Sequence, residues 1–308
     1  MESRRVAAIL IVILAASCLI LASILRGILR EGSVLPDSAA EDLALTLREA
    51  GIEADPSLLS DKSGFRETAS VYVLDSEDYD VTVASLLSGS RPSKTYATPD
   101  GGILLMENGA RVEFGADFSF RYSADGSEVD AYRVFDLTPP AASLSEERIR
   151  RVTEIVTDFL EAGSRSFSFA DRRGIDVRCV ADTVWETDGV QYALCSRTVD
   201  GLRIAANRVV CALDGDTVSE AWGTWYFLTP AESYSAQLVD RLNILFNMKK
   251  EIGRAETPVT IESVTLCYSL WFLGDGEGFC LIPCWQVTTD TMGQYLFNAL
   301  DGKFFTNN

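Results

Sequence analysis

Apolar residues recur along this chain in two periods, and the period switches where turn residues fall. Three stretches carry helical spacing. Ser38-Ala-Ala-Glu41 has the form of a capping box, ahead of Leu43, Leu47 and Ala50 on one face, and Gly51 offers a stop. Ser143-Leu-Ser-Glu146 repeats the device before Ile149, Val152, Ile155, Val156, Phe159 and Leu160, so a helix is expected to close near Gly163. Thr229-Pro230-Ala231-Glu232 puts proline at a first helical position, and Leu238, Leu242, Leu245 and Ile252 continue as a stripe to Gly253. A shorter helix is expected over 79–87.

Elsewhere the period is two. Strands are expected at 71–74, 103–106, 111–114, 175–185, 191–198, 203–213, 218–228, 260–272, 280–288 and 294–300. Asp-Gly pairs begin at Asp100, Asp125, Asp188, Asp200, Asp214, Asp275 and Asp301, and Asn108-Gly109 adds another hairpin signal. Such short turns leave no room for parallel crossovers, so the expectation is an α+β fold of antiparallel meanders with helices on one face. There is also an internal echo. Ala212-Leu-Asp-Gly215 returns as Ala299-Leu-Asp-Gly302, and Thr138-Pro139 returns as Thr229-Pro230 at a similar separation. This divides the chain into residues 1–30, a divergent α+β module over 31–139, and two related helix-plus-sheet modules over 140–228 and 229–308.

Residues 6–25, VAAILIVILAASCLILASIL, contain no charge. At about 1.5 Å per residue they span a hydrocarbon core of about 30 Å. Arg4 and Arg5 precede the run and a long acidic domain follows it, which is the layout of an uncleaved signal anchor with a cytoplasmic N-terminus. The run is longer than the apolar core of a cleaved signal peptide. Ala15-Ala16-Ser17-Cys18 loosely resembles a lipobox, although Ala15 stands where a large aliphatic residue is expected. Read as a spanning helix, the same stretch offers the small residues Ala15, Ala16, Ser17 and Ala22 for close packing on another membrane helix.

Charge narrows the function classes. The 308 residues carry a formal charge of −18, and the basic residues include no cluster interleaved with aromatics, so nucleic acid is disfavoured as a partner. The sequence contains no histidine, which removes the commonest general base, the usual zinc nitrogen ligand and every Ser-His-Asp or Cys-His arrangement. No catalytic residue, cofactor or metal ligand is therefore assigned, and the chain is expected not to be an enzyme.

The remaining candidates each have a structural alternative. Cys179, Cys195, Cys211, Cys267, Cys280 and Cys284 could be buried thiols or disulfides. Cys280-Leu-Ile-Pro-Cys284 lacks the spacing of a redox pair. The acids at Asp75-Ser-Glu-Asp78, Asp80 and Asp214-Gly-Asp216 do not follow calcium-loop spacing and fit solvated turns. Gly274-Asp-Gly-Glu-Gly278 lacks the helix and Lys-Ser/Thr of a phosphate loop and fits a hairpin tip. Trp222, Trp225 and Tyr226 are candidates for partner contact, with core packing as the alternative.

Two tracts carry a family likeness. The segment from Gly201 to Glu220, GLRIAANRVVCALDGDTVSE, resembles the central strand pair of the YycI and YycH regulatory proteins. Leu281-Ile-Pro-Cys-Trp-Gln-Val287 followed by Gly293-Gln-Tyr-Leu-Phe-Asn-Ala-Leu-Asp-Gly302 is similar to that family's closing hairpin, which is also PepSY-like. The resemblance implies an extracytoplasmic, single-pass accessory protein at the cell membrane. It further implies that, with a homologous single-pass partner, the protein contacts a membrane sensor histidine kinase of a two-component system and modulates signalling in cell-wall homeostasis. A PepSY-like protease inhibitor or peptide-binding module at the envelope is the alternative.

Overall fold

The computed structural model describes residues 37–60, 66–75, 79–99, 101–115, 117–129, 144–166, 177–225, 229–252, 258–273, 278–290 and 293–305. The expected anchor at 6–25 lies outside them. Among the described residues, no helix is long and apolar enough to cross a membrane.

In chain order the helices are α1 (Asp37–Arg48), α2 (Pro56–Ser60), α3 (Tyr79–Ser88), α4 (Glu146–Ser166) and α5 (Arg241–Ile252). The first strands are β1 (Ile52–Ala54), β2 (Thr68–Asp75), β3 (Pro92–Thr98), β4 (Gly101–Met106), β5 (Arg111–Gly115) and β6 (Ser119–Ser123). They are followed by β7 (Val177–Thr187), β8 (Val190–Val199), β9 (Leu202–Asp214) and β10 (Thr217–Thr224). The last are β11 (Thr229–Gln237), β12 (Val259–Phe272), β13 (Phe279–Thr289) and β14 (Gly293–Asn298). Strand outweighs helix, and the architecture is a mixed-sheet α+β fold.

Contacts gather the described residues into two units that interleave along the sequence. One draws on Met1–Glu67, Leu238–Thr265 and Trp285–Asn308, the other on Thr68–Gln237 and Leu266–Cys284. In the first unit, α1 buries Leu43 and Leu47 of the expected stripe together with Ala40, while Ala50, the third expected member, is buried just past the end of the helix. β1 runs parallel to the start of β12, from Ile52 opposite Val259 to Ala54 opposite Ile261. Arg241 opens α5 almost fully buried. Its guanidinium donates to the Leu58 carbonyl at 2.9 Å and lies 5.5 Å from the centre of the Trp285 ring. The Trp285 indole donates to the Val239 carbonyl at 2.9 Å, so a large buried side chain and a buried cation satisfy each other's surroundings.

In the second unit the strands follow the order β11-β2-β13-β12-β9-β10-β6-β5-β4-β3, while β8 pairs with β9 and β7 with β8. Successive residues of a strand face opposite ways. Ala193, Cys211, Leu213 and Ala221 therefore pack under α4, joining its Val152, Val156 and Leu160 and the Val83, Ala84 and Leu87 of α3. Their chain neighbours Tyr192, Ala212 and Trp222 form a smaller core on the other face with Trp185 and Val129.

Several expectations are corrected. Residues 229–237 are strand β11, paired with β2 from Thr229 opposite Asp75 to Gln237 opposite Thr68. The ladder breaks register between Pro230 and Glu232, as suits a residue with no N–H to donate. The helix begins only at Arg241, where the amide of Asn243 donates to the Asp240 carboxylate at 2.9 Å, so Asp240 is the cap. α4 continues through Gly163 to Ser166, because glycine weakens a helix without ending it. Pairing is not wholly antiparallel: β12 meets both β1 and β9 in parallel.

Candidate partner-binding surface

Trp222 and Trp225 lie three residues apart and belong to different cores. Trp222 packs in the smaller core with Trp185 and Tyr192, whose rings stack 5.5 Å apart at 17°. Trp225 packs in the larger core, and the buried Arg197 guanidinium stands 5.8 Å from its ring centre. Their exposures are 4% and 1%, so both side chains are enclosed by their own sheet. Tyr226 lies outside the described residues, as do Ala15, Ala16, Ser17 and Ala22.

The cysteines sit in the core. Cys179, Cys195 and Cys211 fall on β7, β8 and β9. Cys195 stands opposite Ala181 and Val209, while Cys179 and Cys211 stand opposite Arg197 and Ala193, so each cysteine is diagonal to the next. Hydrogen bonding between the thiols and burial push Cys179 and Cys195 well above the ordinary thiol range. Burial pushes Cys267 up to about 12, and its thiol donates to the Cys284 carbonyl at 3.4 Å. None of the six is in a disulfide, five are buried and Cys179 is half-buried, and protonated thiols out of solvent are poor nucleophiles. Among the described residues, no group of three or more Cys, Asp or Glu side chains could hold a metal ion.

The acids at the turns have local work. Asp125 accepts from the Ser127 amide at 2.9 Å and the Ser123 hydroxyl at 2.7 Å, and hydrogen bonding, led by the Ser127 side chain and then by Ser123 and the Ser127 amide, holds its carboxyl down at about 2. Asp216 receives Arg148 at 3.5 Å and Arg151 at 3.2 Å from the first turns of α4. That pairing ties the β9–β10 turn to the helix.

What does present itself to solvent is the far end of β12. Trp271, Phe272 and Leu273 are 44%, 56% and 41% exposed. In a strand with one covered face, alternate members of such a run would be buried; here three consecutive large apolar side chains reach water. The hairpin closes through the Leu273 amide, which donates to the Gly278 carbonyl at 3.0 Å. Phe279 then meets Phe272 at 5.3 Å between ring centres and Phe118 at 4.7 Å, nearly perpendicular. Phe118 sits in the β5–β6 turn with φ 62°, a costly backbone setting for an aromatic residue. Five aromatic or aliphatic side chains thus gather at one exposed end.

The sequence pattern assigns Trp271 and Phe272 to core packing, because they close a run that alternates well enough to look half-buried. The available signal was the step from Trp-Phe-Leu straight into Gly-Asp-Gly-Glu-Gly, an apolar triplet with no polar residue before the tip. β3, at one end of the strand order, is also exposed along most of its length. Lys94 and Pro92 there are residues that discourage unplanned strand pairing.

No family model and no curated protein sequence matches the chain. Among solved structures, an uncharacterized protein from Eubacterium rectale is similar with a TM-score of 0.46 and 12% identity, over 79% of this chain and 86% of that one. The YpeB C-terminal domain from Bacillus megaterium gives a TM-score of 0.28 and 11% identity, over 76% of this chain and 97% of that one.

Proposed function

We propose that this protein is a membrane-anchored, extracytoplasmic regulator that binds a sensor histidine kinase of a two-component system, together with a homologous single-pass partner, and modulates signalling in cell-wall homeostasis. The observation that carries the binding role is the exposed run Trp271-Phe272-Leu273. Covering roughly 100 Å² of one such ring with a partner's apolar surface is worth about 2 kcal/mol, and tryptophan is among the residues on which interfaces depend most. The uncharged stretch 6–25 supports an anchor that tethers the protein to the membrane. The choice of a kinase rests on the resemblance of residues 201–220 and 281–302 to the YycI and YycH proteins.

Photo-crosslinking tests the proposal. With p-benzoylphenylalanine in place of Phe272 in the full chain, irradiated cells should yield an adduct with a membrane sensor histidine kinase. An adduct with an envelope protease would instead favour the PepSY-like inhibitor, and an adduct with neither would refute both. Recovery of the full chain in the soluble fraction after cell breakage would remove the anchor.

A further inference from the structure

Three thiols stand in a row beneath α4. Cys179, Cys195 and Cys211 lie on one face of β7, β8 and β9 and belong to the larger core. Cys195 hydrogen-bonds Cys179 on one side and Cys211 on the other. The outer member is also held by α4: the Cys179 amide donates to the Glu161 carboxylate at 3.0 Å, and the Thr157 hydroxyl donates to its sulfur. Cys179 is half-buried where the other two are enclosed, so solvent reaches the row at Cys179.

Spacing decides what such a row can do. Cys179 stands opposite Arg197 and Cys195 opposite Ala181, which makes the two cysteines diagonal neighbours. Diagonal residues of an antiparallel pair lie about 7–8 Å apart, whereas a disulfide needs its Cα atoms within about 6.8 Å. Joining the sulfurs directly would therefore have to part the ladder. A bridging ion has a longer reach. Two metal–thiolate bonds of about 2.3 Å put the sulfurs up to about 4.6 Å apart, a span that hydrogen-bonded thiols reach with small side-chain rotations. Zinc and iron–sulfur sites ask for more ligands, and among the described residues no group of three or more Cys, Asp or Glu side chains could hold a metal ion. Two sulfurs with no further ligand suit a soft monovalent cation.

We propose that Cys179 and Cys195 form a two-coordinate site for a soft monovalent cation of the copper(I) class. The ion enters at Cys179, displaces both thiol protons to solvent and joins the two sulfurs, with no electron transferred. Burial keeps the free thiols protonated, but a coordinated thiol gives up its proton outright. One cation in place of two protons leaves a net charge of −1. The Arg197 guanidinium, buried on the same face directly across from Cys179, offsets it. The neighbouring carboxylates are engaged, Glu161 by the Cys179 amide and Asp182 by Arg203 at 2.6 Å. Cys211 adjoins the bound sulfur of Cys195 and is not a ligand. The inference does not depend on the anchor, the kinase or the β12 end.

Anaerobic titration of the reduced full chain in detergent with copper(I), against a coloured chelator, tests it. One equivalent should bind with a sulfur-to-copper ultraviolet band. Cys179→Ser and Cys195→Ser should each weaken that site by at least about a hundredfold, more than the loss of an outer-shell partner costs. Cys211→Ser should cost less than either, and Cys280→Ala should leave the site unchanged. Because Cys179 is half-buried, Cys179→Ser keeps the test decisive if Cys195→Ser fails to fold. Undiminished copper(I) binding by Cys179→Ser, displacement of the ion by an equal concentration of zinc, or ready closure of a Cys179–Cys195 disulfide by diamide in the folded protein would overturn the proposal.

Discussion

Gly223 offers a sharp test of the sheet. It lies in β10 with φ +142°, opposite Phe120 of β6 and Val209 of β9. A methyl group there would stand 2.1 Å from the Arg208 carbonyl oxygen and 2.9 Å from the Val209 Cα. Both are backbone atoms in a paired strand, so relief requires the ladder itself to part. Gly215, at the β9–β10 turn, also has positive φ, +61°, but nothing lies within 4 Å of an added Cβ. Gly215→Ala therefore carries only the left-handed backbone cost, about 1–2 kcal/mol. Gly223→Ala adds the opening of two or three ladder hydrogen bonds at about 1 kcal/mol each, for a total of roughly 3–5 kcal/mol. Urea denaturation followed by tryptophan fluorescence suits the comparison, because the enclosed Trp222 adjoins the substituted position. The melting temperature should fall by roughly 10 °C for Gly223→Ala. If the two variants agree within about 0.5 kcal/mol, then the close approach of β9 to β10, and the register that creates it, are wrong.

Other outcomes follow from burial and titration. Trp285→Ala removes a ring that is 1% exposed and takes away the aromatic face beside the buried Arg241 guanidinium; urea melts should show a loss of about 3–5 kcal/mol. Trp271→Ala should change stability by no more than about 0.5 kcal/mol while reducing the Phe272 photo-adduct, and a large loss of stability would mean that the β12 end is core. The six cysteines of the described region should remain thiols: alkylation in denaturant without reductant should modify all six, whereas native protein near pH 8 should react slowly. Tyr72 hydrogen-bonds Asp200, and its phenol is pushed up to about 12, first by burial and then by that carboxylate. Because the folded value is raised, its contribution is complete below pH 10, the unfolded value, and is lost as pH rises towards 12. Tyr72→Phe should flatten that part of the stability profile, and an unchanged slope would contradict the assignment.

Local rules found most elements and missed those that depend on distant pairing. The stripe Leu43, Leu47 and Ala50 gave α1 because a helix closes its own hydrogen bonds. Asp188-Gly189 and Asp200-Gly201 gave the β7–β8 and β8–β9 hairpins because their positive φ values, 53° and 79°, then 50° and 74°, match the twist of paired strands. The segment Thr229–Gln237 misled because Thr-Pro-Ala-Glu does resemble a helix start; what makes it a strand is the edge of β2, more than 150 positions earlier in the chain. β1 escaped notice for the same reason, its partner β12 lying far along the chain, whereas β3 pairs with the adjacent β4 and was missed because its mostly exposed run Pro-Ser-Lys-Thr-Tyr-Ala-Thr has no apolar alternation. At the site, a run of aromatics could not reveal whether a neighbour covers it. The contrast between the enclosed Trp222 and Trp225 and the open Trp271 arises from α4 and the strands beside them, none of which their own sequence specifies.

The interleaving of the two units bears on synthesis. Among the described residues of the second unit, β2 and β11 reach β9 by way of β13 and β12, and that part of those strands, Leu266–Cys284, leaves the ribosome after the rest of the unit. Some two hundred earlier residues must therefore wait, with strand edges unpaired, for the segment that locks them together. A chain stopped short of Leu266 would strand the β2–β11 pair and leave the first unit without its final segment. Neither body is built from one contiguous stretch, and a nascent copy is vulnerable to aggregation and proteolysis until Leu266–Cys284 has emerged.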